Sequence, residues 1–131
     1  MTQTLRALAL ALTAALPAHL PSVLMAQSIA CDPEGPQQAM NACAIGDFEA
    51  ADAALNAAYK RAMAVAKDMG VDTQLRAAQR AWIPYRDAAC ATDADIFEGG
   101  SLRPLILYTC LAALTQERTR HLIAFEQYGD L

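Results

Sequence analysis

The sequence predicts an all-α domain: a small, disulfide-stapled antiparallel helical bundle with three main helices and a short N-terminal helix. Two observations predict this class. Apolar residues recur at three- and four-residue intervals over three long segments, which is the period of an α-helix with one buried face. Four cysteines follow a segment with the composition of an export signal, so disulfide bonds are expected to supplement a thin, alanine-rich core.

Residues 1–26 have the features of a cleaved signal peptide. Arg6 supplies the positive charge, residues 7–16 form an uninterrupted apolar run, and Ala26 places a small residue at the cleavage position. This run is too short to span a bilayer as a stable helix. We therefore expect residues 27–131 to be the mature domain, exported to the periplasm or secreted and without an integral membrane segment.

Cys31 leaves one alternative open, a lipoprotein anchored at this cysteine. Small residues precede it, as they do in a lipoprotein signal. Ser28, however, stands where such a signal has a large aliphatic residue, and the apolar run is distant. Lipid attachment is therefore the less favoured interpretation.

The mature domain is small and acidic. A domain of about 105 residues is large enough for one hydrophobic core and too small for two. The full sequence carries a net charge of −4, and loss of the signal removes Arg6 without removing any acid. The acidic balance argues against nucleic acid and anionic membranes as partners and is compatible with a basic protein.

Turn residues divide the first half of the mature chain into a short helix and a long one. Pro36 suits the first turn of a short helix that runs to about Ala44 and ends at Gly46. Asp47 is expected to cap the second helix, and Gly70 to end it. The apolar residues of the second helix recur at helical spacing: Phe48, Ala51, Leu55, Ala58, Tyr59, Ala62, Val65, Ala66 and Met69.

The second half contains two further helices separated by a loop. Asp72 is expected to cap the third helix, in which Pro84 should cause a kink. Residues 93–100 form the loop, and Ser101 is expected to cap a last helix that runs to about Tyr128. The apolar stripe of the third helix consists of Leu75, Ala78, Trp82, Tyr85 and Ala89.

Four cysteines allow three disulfide connectivities, which the sequence alone does not strictly distinguish. Pairing between cysteines that are close in the chain, Cys31 with Cys43 and Cys90 with Cys110, has the best geometric support. In the chain-entropy model, closing a loop as long as the second one stabilises the folded state by about 3 kcal/mol.

The register of the last two helices supports the second of these pairings. Two antiparallel helices joined by a loop bring together residues whose numbers sum to a constant. Once the cysteine of one helix meets that of the other, Trp82 lies against Arg118 and Leu75 lies against Phe125. Both contacts are chemically sensible, the first as a cation over an indole ring.

The sequence predicts neither a metal site nor a cofactor. It contains no Cys-x-x-Cys motif, and the mature chain has one histidine, His121. The loop would fail as a calcium-binding EF-hand, because Phe97 and Pro104 stand at positions that need oxygen ligands. Ser101 and His121 would lie about 30 Å apart on one helix, which excludes a nucleophile–base pair. The protein is therefore not expected to be an enzyme, and no residue is assigned as catalytic.

Polar side chains within the helices indicate a structural cluster. Asp52 and Asn56 share one face of the second helix, and a short turn would bring Arg86 of the third helix alongside them. Arg118 of the last helix is expected to join this group. Buried charges are normally paired, so these four residues are interpreted as an internal polar cluster rather than a ligand site.

Short motifs follow one another along the mature chain: Met40-Asn41-Ala42-Cys43, Ala51-Asp52, Leu55-Asn56, Tyr59, Ala78-Gln79-Arg80-Ala81-Trp82-Ile83, Tyr85-Arg86-Asp87-Ala88, Cys90, Gly99-Gly100-Ser101, Cys110 and Thr115-x-x-Arg118. In this combination the chain resembles the bacterial lysozyme inhibitor LprI-like family, formerly a domain-of-unknown-function family of secreted proteins. The resemblance covers residues 31–122, with Pro84 standing where the family would have lysine or alanine. The family takes its name from a mycobacterial lipoprotein said to inhibit lysozyme.

The resemblance implies an exported, non-enzymatic binding protein that inhibits lysozyme-type muramidases, with a basic lysozyme-type protein as its partner. The alternative is an envelope protein with an unknown partner and a structural or cell-wall-associated role. The loop between the last two helices is a candidate for partner binding, and the favoured alternative is that Gly99-Gly100-Ser101 is simply a turn and a helix cap. Phe97 is a large apolar residue in that loop. Ser101 and Arg103 lie at the positive end of a long helix, where they suit a cleft that contains carboxylates.

Overall fold

The computed structural model describes residues 29–131, so the predicted signal peptide and its cleavage site lie outside the described residues. The described residues contain no strand and form three α-helices and a terminal 3₁₀ turn: α1 (Gln37–Asp68), α2 (Asp72–Asp95), α3 (Arg103–Glu126) and the turn Gln127–Asp130. The predicted all-α class is confirmed. None of these three helices is long and apolar enough to cross a lipid bilayer.

α1 and α3 run parallel, and α2 runs antiparallel to both. Near the start of α1, the Asn41 side-chain amide donates a hydrogen bond to the Ser101 carbonyl just before α3 (3.1 Å). Near the other end of the bundle, Arg61 of α1 and Glu126 of α3 form an ion pair (2.9 Å). α1 packs more extensively against α3 than against α2. Successive helices are therefore antiparallel, as the sequence predicts.

A small apolar core lies where the three helices meet. Its buried residues are Leu55, Ala58, Ala62 and Leu122, and Tyr59, Leu75, Trp82 and Phe125 pack against them. Alanine on α1 allows a close approach of neighbouring helices, because a methyl group needs little space between them. Leu75 and Phe125, which the helix register predicts to lie against each other, both pack against this core.

α1 is one continuous helix, and the predicted break between a short helix and a long one is wrong. Gly46 lies in the interior of α1, and Asp47 is a helical residue rather than a cap. A single glycine in a helix costs only about 1 kcal/mol relative to alanine. Ala44 and Ala51 are buried on either side of Gly46, so packing against the neighbouring helices keeps α1 helical at this position.

α1 ends at Asp68, and Gly70 terminates it as predicted. Gly70 has a φ of +71°, which residues with a side chain rarely adopt. Its N–H donates to the Lys67 carbonyl (3.1 Å), and the Val71 N–H donates to the Ala66 carbonyl (2.8 Å). These two bonds form a Schellman motif, which satisfies carbonyls at the end of the helix. The glycine therefore allows the tight turn between α1 and α2.

The predicted side-chain caps at the starts of α2 and α3 do not form. Asp72 is the first residue of α2 and makes no capping hydrogen bond, and it pairs instead with Arg76 one turn along (3.7 Å). Ser101 lies two residues before the start of α3 at Arg103. There the loop closes through a backbone hydrogen bond from Arg103 to the Gly100 carbonyl (3.3 Å). A hydrogen bond between backbone groups therefore forms at the start of α3, where a serine side-chain cap was expected.

α2 is a single helix that continues through Pro84, so the proline does not divide it. Proline lacks an N–H and leaves the Arg80 carbonyl without its helical partner. Arg80 and Pro84 are both exposed, so water can satisfy that carbonyl.

Both predicted disulfides are confirmed. Cys31 is bonded to Cys43 (Cα–Cα 4.6 Å), which ties the N-terminal strap, residues 29–36, to α1. Cys90 is bonded to Cys110 (Cα–Cα 5.5 Å), which ties α2 to α3, and Cys90 is fully buried. Because the Cys31 sulfur is in a disulfide, it is not free to carry a lipid in this structure.

Candidate partner-binding surface

Arg86 is the centre of the polar cluster, and it is only 8% exposed. Its Nε donates to Asp87 Oδ1 (2.9 Å), and its Nη1 donates to the Thr115 hydroxyl (3.3 Å). Its Nη2 lies 2.8 Å from the same Asp87 oxygen, in an ion pair. Asp52 of α1 lies 3.6 Å from Nη1, within ion-pair range but too far for a hydrogen bond. Asn56 donates to Asp52 (2.9 Å) and joins the cluster through that carboxylate.

Two aromatic rings lie against the Arg86 guanidinium. Its carbon is 5.3 Å from the centre of the Phe48 ring on α1 and 5.2 Å from the centre of the Trp82 ring on α2. The structure thus places Arg86 over the indole, where the helix register predicted Arg118. Because Arg86 contacts residues of all three helices, its surroundings favour a structural role over ligand binding.

Arg118 makes its hydrogen bonds elsewhere, so the four residues predicted as one cluster divide into two groups. Its Nε donates to Gln79 Oε1 (3.0 Å), and its Nη1 is bonded to His121 Nδ1 (3.0 Å). Burial lowers the pKa of the Arg118 guanidinium from its ordinary value, because desolvation penalises the charged form.

The loop between α2 and α3, residues 96–102, presents apolar side chains to solvent. Ile96 is 77% exposed, and Phe97 is 38% exposed. Arg103 at the start of α3 donates to Asp95 at the end of α2, through Nε (3.2 Å) and Nη2 (2.7 Å). An ion pair therefore joins the two ends of the loop, and the Arg103 guanidinium is not unpaired.

The same loop is fixed to α1 and by its own backbone. The Ser101 carbonyl accepts a hydrogen bond from Asn41, and Ser101 itself is exposed. The Gly100 N–H donates to the Phe97 carbonyl (2.9 Å), and Gly99 has a φ of +77°, which favours glycine. The structure therefore brings the predicted loop residues to one tip of the bundle.

Charge is distributed unequally between the two ends of the bundle. We define the acidic half as residues 29–53 and 85–114, which include both disulfides and the loop, and the basic half as residues 54–84 and 115–131. The acidic half carries nine acidic side chains and two arginines, a net charge of −7. The basic half carries five acidic and seven basic side chains, a net charge of +2.

The carboxylates of the acidic half are mostly exposed. They belong to Asp32, Glu34, Asp47, Glu49, Asp52, Asp87, Asp93, Asp95 and Glu98. All of these residues except Asp52 are exposed, so their charge is presented to solvent and to any partner. Within residues 29–131, these carboxylates do not gather into a group that could hold a metal ion.

Comparison with known proteins identifies the family. The family model described as "Lysozyme inhibitor LprI" matches residues 30–122. The chain belongs to the lysozyme inhibitor LprI family. An uncharacterized protein of Rhizobium meliloti (strain 1021) is 40% identical over 98 residues, which are 66% of this chain and 70% of the relative. No solved structure matches the chain significantly.

The LprI match extends over both disulfides and the loop, and it confirms the resemblance carried by the sequence motifs. Two buried polar residues within those motifs have partners that sequence reasoning missed. Gln79 accepts a hydrogen bond from Arg118, and Thr115 accepts one from Arg86. Their only signal in the sequence is their place in those motifs, because a polar residue in a helix ordinarily faces solvent.

Proposed function

We propose that this LprI-family protein is an exported, non-enzymatic binding protein that inhibits a lysozyme-type muramidase. The observation that carries the proposal is the acidic half, whose net charge of −7 surrounds a loop with two exposed apolar side chains, Ile96 and Phe97. Membership of a family described by lysozyme inhibition supports the same function. The two disulfides support export, because such bonds persist in oxidising compartments.

The acidic half favours a basic partner. Surface charge of one sign steers an oppositely charged protein into encounter and raises the association rate constant at low salt. The basic half, with a net charge of +2, would not attract the same partner. A basic enzyme would therefore approach the end of the bundle that carries the disulfides and the loop.

The loop would supply the contact that stabilises the complex. Ile96 and Phe97 offer apolar area at the tip, and a few well-buried side chains provide most of the binding energy of an interface. The cleft of a muramidase contains two catalytic carboxylates beside the scissile bond. A loop inserted there would keep substrate away from these carboxylates, and the inhibitor would need no catalytic residue of its own. Ser101 and Arg103 lie beside the tip as hydrogen-bond donors. The Arg103–Asp95 pair fixes the loop before binding, which reduces the entropy lost on association.

Clearance of a turbid suspension of bacterial cell walls by a purified basic lysozyme tests the proposal. Residues 27–131 with both disulfides formed should slow clearance stoichiometrically, with full inhibition near equimolar protein. The same protein after reduction and alkylation is the control for non-specific effects and should inhibit less. If an excess of the folded, oxidised protein leaves the rate of clearance unchanged, the protein does not inhibit lysozyme.

The alternative is an envelope protein with another partner and a structural or cell-wall-associated role. The basic half supports this alternative, because a lysozyme bound at the loop would leave the basic half free to contact another partner. Cosedimentation of the protein with purified cell walls, together with no effect on lysozyme, would support this alternative over muramidase inhibition.

A further inference from the structure

A cavity of about 360 Å³ lies between α2 and α3, at the edge of the basic half. Its lining combines aromatic, apolar and charged side chains: Trp82, Tyr85, Leu114, Glu117, Arg118 and His121. The loop residues 96–102 take no part in it. The cavity is therefore separate from the loop proposed to enter a muramidase cleft, although Tyr85 and Leu114 of its lining lie at the border of the acidic half.

Arg118 brings to this cavity a positive charge that no carboxylate of residues 29–131 balances by an ion pair. Its hydrogen bonds go to the amide oxygen of Gln79 and the ring nitrogen of His121. Its Nη2 is enclosed and meets no acceptor within the same residues. Arg86, in contrast, has two carboxylates within 3.6 Å. A partly buried cation without a counter-ion favours the binding of an anion.

The two neighbours of Arg118 differ in how firmly they are held. Gln79 is 7% exposed and fixes the Nε side of the guanidinium. His121 is exposed, and its Nδ1 must accept the bond from Nη1, because an arginine nitrogen can only donate. Its ring proton is thereby assigned to Nε2. An incoming carboxylate would take the place of the His121 ring as the acceptor at Nη1 and leave the Gln79 bond in place.

Trp82 and Tyr85 give the cavity flat apolar walls about one helical turn apart on α2. Tyr85 is 62% exposed, so its ring contributes little to the core. Such rings pack well against the flat apolar face of a small ring-shaped ligand. Glu117, which also lines the cavity, is a hydrogen-bond acceptor for hydroxyl groups.

We propose that this cavity binds a small sugar that carries a carboxylate. The carboxylate pairs with Arg118, the sugar ring packs against Trp82 and Tyr85, and Glu117 accepts a hydrogen bond from a hydroxyl group. A neutral sugar would leave the charge of Arg118 unbalanced. A simple carboxylate such as acetate would leave the aromatic walls uncovered. The site goes beyond muramidase inhibition and does not depend on it.

Intrinsic fluorescence tests the proposal directly, because Trp82 is the one tryptophan of the chain and lines the cavity. The probes form two matched pairs, glucuronate with glucose and N-acetylmuramic acid with N-acetylglucosamine. Within each pair only the first sugar carries a carboxylate. We expect a saturable change in fluorescence with at least one acidic sugar, with a Kd on the order of 1 mM, and at least tenfold weaker binding of its neutral counterpart.

Three variants connect the signal to the cavity. Arg118→Gln should weaken binding of the acidic sugar at least tenfold, and Arg120→Gln, which changes an exposed arginine outside the cavity, should leave it unchanged. Tyr85→Ala removes an exposed ring, so the variant should keep the melting temperature of the parent and still bind the acidic sugar several-fold more weakly. Because Tyr85→Ala changes neither the loop nor a charge of the acidic half, the variant should inhibit lysozyme as well as the parent, which separates this site from the proposed inhibitory loop.

Several results would overturn the proposal. These are the absence of saturable binding by both acidic sugars, equal binding of acidic and neutral sugars, and binding of acetate as tight as that of glucuronate. Unchanged affinity in Tyr85→Ala would also overturn it, and that result remains decisive if Arg118→Gln fails to fold.

Discussion

The guanidinium carbon of Arg86 lies 5.2 Å from the centre of the Trp82 ring, which places a buried cation against the one tryptophan of the chain. Phe48 of α1 lies at a similar distance from the same guanidinium (5.3 Å), and Thr115 of α3 accepts a hydrogen bond from it. A single side chain of α2 therefore contacts both other helices near the middle of the bundle.

Replacement of Arg86 by alanine should lower the free energy of unfolding by roughly 3 kcal/mol. The substitution removes the donor to the buried Thr115 hydroxyl and the cation beside Asp52, and it leaves a space between two aromatic rings. Urea unfolding followed by circular dichroism measures the change. Arg80→Ala, at an exposed position of the same helix, is the control and should cost less than about 0.5 kcal/mol. An equally small loss for Arg86→Ala would rule out the structural role.

The two disulfides should contribute unequally to stability. Both close short loops, and the chain-entropy model assigns each about 3 kcal/mol. Cys90 is fully buried where it joins α2 to α3, whereas Cys31 lies in the exposed N-terminal strap. The double variant Cys90→Ala/Cys110→Ala should therefore melt at a lower temperature than Cys31→Ala/Cys43→Ala. Equal melting temperatures would show that the strap matters as much as the link between two helices.

Two glycines should respond in opposite directions to alanine. An added Cβ at Gly46, inside α1, would have no atom within 4 Å. Gly46→Ala should therefore stabilise the protein by about 0.5–1 kcal/mol, because alanine loses less backbone entropy in a helix. Gly70 has a φ of +71°, so Gly70→Ala should destabilise by about 1 kcal/mol. Thermal unfolding measures both, and a loss of stability in Gly46→Ala would indicate that α1 is interrupted there after all.

The loop should be needed for inhibition but not for folding. Ile96→Ala/Phe97→Ala removes apolar area from the exposed tip, and inhibition of lysozyme should fall at least tenfold, or about 1.4 kcal/mol, with an unchanged melting temperature. Ile123→Ala, which changes an exposed apolar residue (43%) of the basic half, is the matched control. If the loop variant inhibits as strongly as the parent, the loop is not the inhibitory element.

The helices and the disulfides could be predicted because each follows from a local or pairwise rule. Apolar residues at three- and four-residue intervals give helices with one buried face, and the turn at Gly70 needs the positive φ that glycine allows. Antiparallel packing of α2 and α3 brings Cys90 to Cys110. None of these inferences requires knowledge of the whole core.

The features that the sequence did not reveal depend on tertiary packing. Local rules predict that one helix ends at Gly46 and that another begins at Asp47, yet the buried alanines of α1 keep the helix continuous. The choice of Arg86 rather than Arg118 as the cation over Trp82 depends on side-chain direction, which a residue register does not specify. The separation of charge between the two halves becomes visible only when distant segments are placed together.

The association rate of a purified basic lysozyme with charge-reversed variants tests the proposed function most directly. Asp93→Lys/Glu98→Lys reverses two exposed charges of the acidic half beside the loop, and Asp68→Lys/Asp130→Lys makes the same change in the basic half. Stopped-flow measurements at low ionic strength give the rate constant for each variant. We expect at least a tenfold reduction for the first variant and a much smaller one for the second. Equal rate constants for the two variants, or no binding by the parent protein, would contradict the assignment of the acidic half as a lysozyme-binding surface.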